Sequence, residues 1–259
     1  MRWLWSLGDY TALAEVLEPH SVALADACQI RAGAAVLDVA AGNGNFAFAA
    51  ARRGAVVTAS DLTPRMVELG RARSAAGGLN IEWMEADAEQ LPFADAGYDI
   101  VASVFGAMFA PQPALVAAEL FRVAKPGGLV AMANYSPGGY LGRLFEVLAS
   151  FSARPAFELP PPFLWGDEEE VRRRFSPHTD SIEFSRRRLS FESSSIDTFL
   201  EFWETTNAPQ NALKAMQPPD SYQKVIEANR ALVEELNEST TRQIKVNSPY
   251  LLVLARKPG

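Results

Sequence analysis

The chain of 259 residues has one cysteine, Cys28, and two histidines, His20 and His178. A lone thiol forms no internal disulfide and rules out a multi-cysteine metal site. Two histidines far apart in sequence lend little support to a structural zinc or a His-ligated iron, so no metal is expected. The same scarcity of thiols fits a reducing, cytoplasmic setting. Long apolar runs are missing as well, since none approaches the roughly 20 residues that cross a bilayer. The N-terminal cluster Trp3-Leu4-Trp5 breaks off at Gly8-Asp9, before a secretory h-region could form. No membrane partner is expected. Positive charge is also short: 24 Lys+Arg stand against 31 Asp+Glu, for a net charge of -7. That balance opposes a polyanion as main partner, so no nucleic acid is expected, and the runs Arg172-Arg173-Arg174 and Arg186-Arg187-Arg188 read as solvated faces. What is there is ordinary for a globular protein, 48% hydrophobic and 21% charged residues, enough for one large domain or a domain with an appendage.

Apolar periodicity divides the chain in two. Residues 10 to 31 carry helical spacing interrupted at Pro19, which predicts two short helices. From Ala34, short apolar or β-branched runs alternate with helical segments. Strands are expected over 34–39, 55–61, 80–86, 98–104 and 129–135, with helices over 45–53, 64–76 and 113–124 between them. Five strands alternating with helices predict a parallel sheet with right-handed crossovers. After Tyr135 the pattern loosens. Helices fit 140–151 and 167–175, strands fit 182–191 and 250–255, and Tyr222, Val225, Ile226, Leu232, Val233 and Leu236 form one helical stripe over 221–239. The expected fold is therefore α/β, a doubly wound, Rossmann-like, mostly parallel seven-stranded sheet with helices on both faces and helical insertions capping the substrate site.

In such a sheet ligands bind beyond the carboxyl ends of the strands. Gly42-Asn43-Gly44 follows the first strand, Asp61 ends the second, Asp87 ends the third, and Ser103 to Phe109 follow the fourth. Asp61 lies 19 residues after Gly42, a spacing suited to a carboxylate that accepts from a ribose diol. The match to G-x-G-x-x-A at Gly42 is weak taken alone. Asp38, four residues earlier and inside the strand end, is a costly residue to bury without a cation or hydrogen-bond donors. It argues against a dinucleotide site.

These blocks resemble the class I S-adenosylmethionine-dependent methyltransferases, in particular the branch similar to ubiquinone and menaquinone biosynthesis methyltransferases. The resemblance is carried by Val36 to Gly44 (VLDVAAGNG), Ser60 to Met66 (SDLTPRM), Asp87 to Phe93 (DAEQLPF), Tyr98 to Val101, Glu119 to Val123 and Lys125 to Gly128, in family order across about residues 34 to 135. It implies S-adenosyl-L-methionine as cofactor. It further implies that Asp38, with the backbone of Ala40, Gly42 and Gly44, faces the amino-acid end. Asp61 would hold the ribose hydroxyls, Leu62 and Met66 would touch the adenine, and Asp87 and Ala88 would meet the adenine amine. Ser103 and the residues after it would lie under the sulfonium. Ala40 stands where the family often has glycine.

The resemblance implies methyl transfer to a small hydrophobic or aromatic metabolite, with O, N and C acceptors all open. A sulfonium methyl is already strongly electrophilic, so catalysis mainly by proximity and desolvation is expected. His20 and His178 are the weak candidates for a base. Phe105, Met108, Phe109, Tyr135, Trp165 and Trp203 are candidate substrate walls, each with core packing as its competing role, and Phe163 and Phe202 belong to the same aromatic set. Trp3, Trp5 and Tyr10 fit either an N-terminal lid or core. The expected division is a helical lid over 1–33, a cofactor-binding core over 34–135, and the remaining strands with substrate-shaping insertions over 136–259. Competing readings are an NAD(P)-dependent oxidoreductase, a non-catalytic cofactor-binding regulatory protein, and an RNA or protein methyltransferase, the last disfavoured by the acidic charge. A homodimer stays open.

Overall fold

A computed structural model describes residues 2–152 and 160–259. Seven strands form one sheet: β1 (Ala35–Val39), β2 (Val56–Asp61), β3 (Ile81–Glu85), β4 (Tyr98–Val104), β5 (Ala124–Tyr135), β6 (Ile182–Ser193) and β7 (Ile244–Arg256). Their order is β3-β2-β1-β4-β5-β7-β6. The first five are parallel neighbours, and β7 runs antiparallel between β5 and β6. Four residues in a row of β1, Val36 to Val39, are buried, because helices cover both faces of a parallel sheet and leave no wet side for alternation. Strand order reverses between β1 and β4, which opens a crevice at their carboxyl ends.

The helices are α1 (Arg2–Trp5), α2 (Tyr10–Ala27), α3 (Asn45–Ala51), α4 (Pro64–Ala76), α5 (Pro113–Val123), α6 (Gly139–Ser150), α7 (Glu168–Phe175), α8 (Ile196–Thr206), α9 (Ala208–Met216) and α10 (Pro219–Leu236). Helix α2 corrects the expectation of two short helices, since it runs unbroken through Pro19. Pro19 and Glu15, whose carbonyl the proline leaves without a donor, are both exposed, so that carbonyl is left to water. Leu17 and Leu24 lie on the buried stripe that continues across the proline. Their burial contributes about 3–6 kcal/mol together, against about 3 kcal/mol for an interior proline.

Several charged residues of the sequence blocks hold strand ends and loops. Asp99 accepts from Ala35 N–H at 2.8 Å and from Lys125 Nζ at 2.8 Å, tying the starts of β1, β4 and β5 together. Lys125 and the β1 amide hold this carboxyl below the usual carboxylate range. Arg122 of α5 donates to the carbonyls of Leu91 and Phe93 at 2.8 and 2.7 Å, and Glu119 accepts from Leu91 N–H at 2.7 Å. That clamp fixes the loop carrying Asp87 to Glu89 at the mouth of the crevice.

The arginine runs are only partly solvated. Arg174 is buried, with its guanidinium 4.5 Å over the Trp165 ring and its Nε bonded to Glu170. The reason is helical geometry, since three successive residues point in three directions and one of them faces inward.

Candidate functional site

A cleft of about 900 Å³, partly open to solvent, lies at the carboxyl ends of β1, β2 and β4 and the turn after β3. Ala40, Gly42, Asp61, Leu62, Met66, Asp87 and Ala88 line it, together with Trp5, Tyr10, Phe105 and Phe109. Its floor is built by backbone and carboxylate together. Asp61 Oδ2 accepts from Gly42 N–H and its Oδ1 from Thr63 N–H, both at 2.9 Å, so one carboxylate ties the glycine turn to the start of α4. Burial pushes the Asp61 carboxyl up, and those two amides pull against the shift. Thr63 stands at the cap position of α4, but its hydroxyl makes no cap bond. Asp87 is exposed at the rim and accepts from Glu89 N–H at 3.0 Å, a turn that sets the rim and leaves its second oxygen without a partner among the described residues.

Gly42 has φ +58°, and a Cβ there would lie 2.7 Å from Tyr10 Cε1, so the turn is bare where the Tyr10 ring settles on it. Ala40 holds a similar left-handed conformation, φ +54°, with a methyl group. That conformation costs an L-residue roughly 1–2 kcal/mol, and glycine gives back about 0.5–1 kcal/mol in unfolded-chain entropy. Ala40→Gly is therefore expected to stabilise the protein by about 0.5–1 kcal/mol, read as a higher urea midpoint.

Asp38 lies beside the main cleft, on a narrow space that it shares with Tyr10, Ser21 and Asn45. Its Oδ2 accepts from Ala47 N–H at 2.9 Å, and its Oδ1 is buried without a partner among the described residues. Burial, with Asp61 adding to it, raises this carboxyl to about 8 despite the Ala47 bond. The folded chain thus holds a proton that the unfolded chain has already lost above its ordinary carboxylate value. Asp38 accordingly costs the fold nothing at acid pH, and stability falls as pH rises from about 4 to about 8. Asp38→Asn is expected to flatten that slope, measured as the difference in Tm between the two proteins from pH 5 to pH 8.

Other expected site residues lie elsewhere. Ser103 is buried, and its Oγ accepts from Ala107 N–H at 3.0 Å, so it holds the 3-10 turn at Ala107–Phe109 and is not among the residues that line the cleft. Gly44 starts α3 with φ +96°, and Trp83 packs against it in place of a side chain. Met108 corrects the substrate-wall assignment: the 3-10 turn points it into the core and its neighbour Phe109 into the cleft. Trp165 is likewise core, enclosed by Phe175 and Arg174. His20 lies behind Phe105, its Nδ1 3.0 Å from the Tyr250 hydroxyl, and burial lowers its basicity. His178 stacks on Phe121, and burial with Lys257 nearby lowers it too. Neither histidine lines a described cavity.

A second cavity, partly open to solvent, adjoins the cleft and shares Trp5, Tyr10, Phe105 and Phe109 with it. Its far wall is made by Tyr135 and Trp203 with Leu141 and Phe145 of α6 and Asn207 before α9. The last three went unseen in the sequence, where an inward-facing Leu or Phe of a helix looks like any core residue. Phe105 stands between the two spaces with φ +54°, an outlier for so large a side chain. It is held there by a stack on Tyr135, centroids 4.1 Å apart and planes 4° from parallel, and by its N–H to Ala133 O at 2.8 Å.

The cleft fits a cationic nucleoside. Carboxylates line it or lie beside it, a buried carboxylate oxygen lacks a donor, an apolar slot runs between Leu62, Met66 and Ala88, and no Lys or Arg among the lining residues would serve a pyrophosphate. Fold and site together define a class I S-adenosylmethionine-dependent methyltransferase, and the chain belongs to that family. A methyltransferase-domain family model matches residues 36–128. An uncharacterized protein of Mycobacterium tuberculosis (strain ATCC 25618 / H37Rv) is 42% identical over 192 residues, 74% of this chain and 70% of that one. A demethylmenaquinone methyltransferase of Clavibacter sepedonicus is 42% identical over 105 residues, 40% of this chain and 42% of its own. Phosphoethanolamine N-methyltransferase 2 of Haemonchus contortus, solved with phosphomonomethylethanolamine and S-adenosylhomocysteine, superposes with a TM-score of 0.60 at 18% identity, covering 93% of this chain and 53% of that one. The cofactor is S-adenosylmethionine.

Proposed function

We propose that this methyltransferase acts on a small, hydrophobic or aromatic molecule bound in the second cavity. The observation that carries the reading is the wall of that cavity, which among the described residues is mostly aromatic and aliphatic, with Thr206 and Asn207 as its polar side chains and no Lys, Arg, His, Asp or Glu. A phosphate or carboxylate acceptor would meet no cation there. The bound cofactor supplies an electrophilic methyl group. In this reading Asp61, Leu62, Met66, Asp87 and Ala88 hold the nucleoside, and Asp38 with the backbone of Ala40 and Gly42 faces its amino-acid end. Tyr10 and Phe105 shape the passage between the two spaces, and Phe109, Tyr135 and Trp203 hold the acceptor flat and dry.

Residues 1–33 act as a lid over a core at 34–135, with acceptor-shaping segments in 136–259. Trp5 and Tyr10 line the cleft while Trp3 is 55% exposed, and Arg65 Nη1 fastens the lid by donating to Ser6 O at 2.9 Å. The acidic charge supports a small-molecule partner over nucleic acid, and the single buried Cys28 supports a cytoplasmic setting.

The test is methyl transfer from labelled S-adenosylmethionine to a panel of hydrophobic phenols, hydroquinones and heteroaromatic amines, beside phosphoethanolamine and glycine. Turnover confined to the charged aliphatic acceptors would sink the proposal. Because neither histidine lines the cleft or the second cavity, His20→Ala and His178→Ala are expected to keep turnover within about tenfold of the parent, well short of the 10²–10⁴ that a general base contributes.

A further inference from the structure

We propose that Tyr10, from the N-terminal segment, binds the carboxylate of the cofactor's amino-acid end through its hydroxyl, a role that rests on the proposed placement of that end beside Asp38 and the glycine turn.

Tyr10 stands where three spaces meet. It lines the cleft, the narrow space at Asp38 and the second cavity, and among the described residues only Phe105 does the same. A Cβ placed on Gly42 would lie 2.9 Å from the Tyr10 hydroxyl oxygen, so that hydroxyl rests on the bare face of the turn. Asp61 and Asp38 both act on it through charge, which places it near both carboxylates. Its backbone is fixed from the other side. Asp9 caps α2 by accepting from Thr11 N–H at 3.0 Å, and Asp9 N–H donates to Thr205 O at the end of α8 at 2.8 Å.

A carboxylate on the turn needs a donor. Among the described residues no Lys, Arg or His lines the cleft or the narrow space. Three amides of the turn are spent, since Ala41 N–H donates to Ser60 O, Gly42 N–H to Asp61 Oδ2 and Gly44 N–H to Ala41 O, each at 2.9 Å. Asn45 Nδ2 donates to Ala14 O at 2.6 Å, and Arg73 Nη1 is held by Asn45 Oδ1 at 2.7 Å. Ser21 lies about three turns farther along α2 and does not line the cleft. The Tyr10 hydroxyl is left without a partner among the described residues. It keeps its proton, because burial and the two aspartates push the phenol up against the opposing pull of Arg73.

Tyr10 and Asp38 together match a zwitterion. The unpartnered Asp38 Oδ1 accepts from the ammonium, and the phenol O–H donates to the carboxylate. The ammonium offsets the field of the two aspartates, which alone would disfavour an anion there. Tyr10 lies outside residues 36–128, the span matched by the family model, so the strand-end blocks do not contain it.

Calorimetric titration without acceptor compares three ligands on the parent, Tyr10→Phe and Tyr10→Leu. They are S-adenosylmethionine, its decarboxylated form, which lacks only the carboxylate, and 5′-methylthioadenosine, which lacks the whole amino-acid end. The parent's preference for S-adenosylmethionine over the decarboxylated form is expected to shrink about tenfold in both variants, the loss of one charge-assisted hydrogen bond. A general packing defect weakens both ligands alike and leaves that ratio unchanged. If the ratio is the same in all three proteins while S-adenosylmethionine still outbinds 5′-methylthioadenosine, the Tyr10 contact is overturned and the placement of the amino-acid end survives. If 5′-methylthioadenosine binds the parent as tightly as S-adenosylmethionine, nothing holds that end, and contact and placement are both overturned.

Discussion

Asp61→Ala is expected to raise the dissociation constant for S-adenosylhomocysteine by about 100-fold or more, because hydrogen bonds to a charged group contribute roughly 1.5–3 kcal/mol each. The carboxylate acts twice. It holds the amides of Gly42 and Thr63 at 2.9 Å, shaping the turn and the start of α4, and it lines the cleft where a ribose diol would donate. Alanine would remove the proposed ligand contact and orphan two buried amides. Asp61→Asn keeps one acceptor oxygen but turns a donor toward the other amide, so an intermediate loss is expected. Calorimetric titration measures both, with circular dichroism to confirm that the variants fold. An affinity within threefold of the parent for folded Asp61→Ala would remove Asp61 from the cofactor site.

Gly106→Ala should destabilise the whole protein and weaken cofactor binding together. A Cβ at Gly106 would lie 2.3 Å from Ala40 O and 2.8 Å from Ala40 Cβ, inside van der Waals contact with backbone that cannot swing aside. Gly106 follows β4, and Ala40 follows β1, the neighbouring strand, so the clash forces apart the two loops that meet over the crevice. Overpacking of this kind costs about 1–3 kcal/mol, and for a chain of this size each kcal/mol lowers Tm by about 2–4 °C. A fall of several degrees is expected, with weaker S-adenosylhomocysteine binding in the fraction that remains folded. An unchanged Tm would mean that the two loops separate freely. Ala40→Gly, expected to stabilise, is the opposite case at the same contact, since it removes a methyl group from a left-handed residue.

The inner strands β1 and β4 are legible because a parallel, doubly covered sheet demands apolar runs, whereas the edge strand β3 alternates between buried and exposed residues and β7 starts at Ile244, six residues before the apolar run at 250–255. Gly42, Asp61, Leu62, Met66, Asp87 and Ala88 group together in the sequence itself. Each follows a strand end, and the carboxyl ends of parallel strands lie on one edge of the sheet. Chemistry and position coincide there at short range.

Side-chain direction in the irregular segments is another matter. Met108 and Phe109 are adjacent and equally apolar, yet one fills the core and the other the cleft, because a 3-10 turn held by Ser103 aims them apart. Trp165 and Trp203 are both fully buried, and only Trp203 reaches a cavity. Pro19 reads locally as a break, but the buried stripe of α2 carries the helix through it. Local propensities and strand-end motifs are properties of neighbours in sequence, so they can be read along the chain. The second cavity is enclosed by α2, the Phe105 loop, α6 and the α8–α9 junction, segments up to about 200 residues apart, and which of their apolar side chains face each other is settled only when the packed core places them.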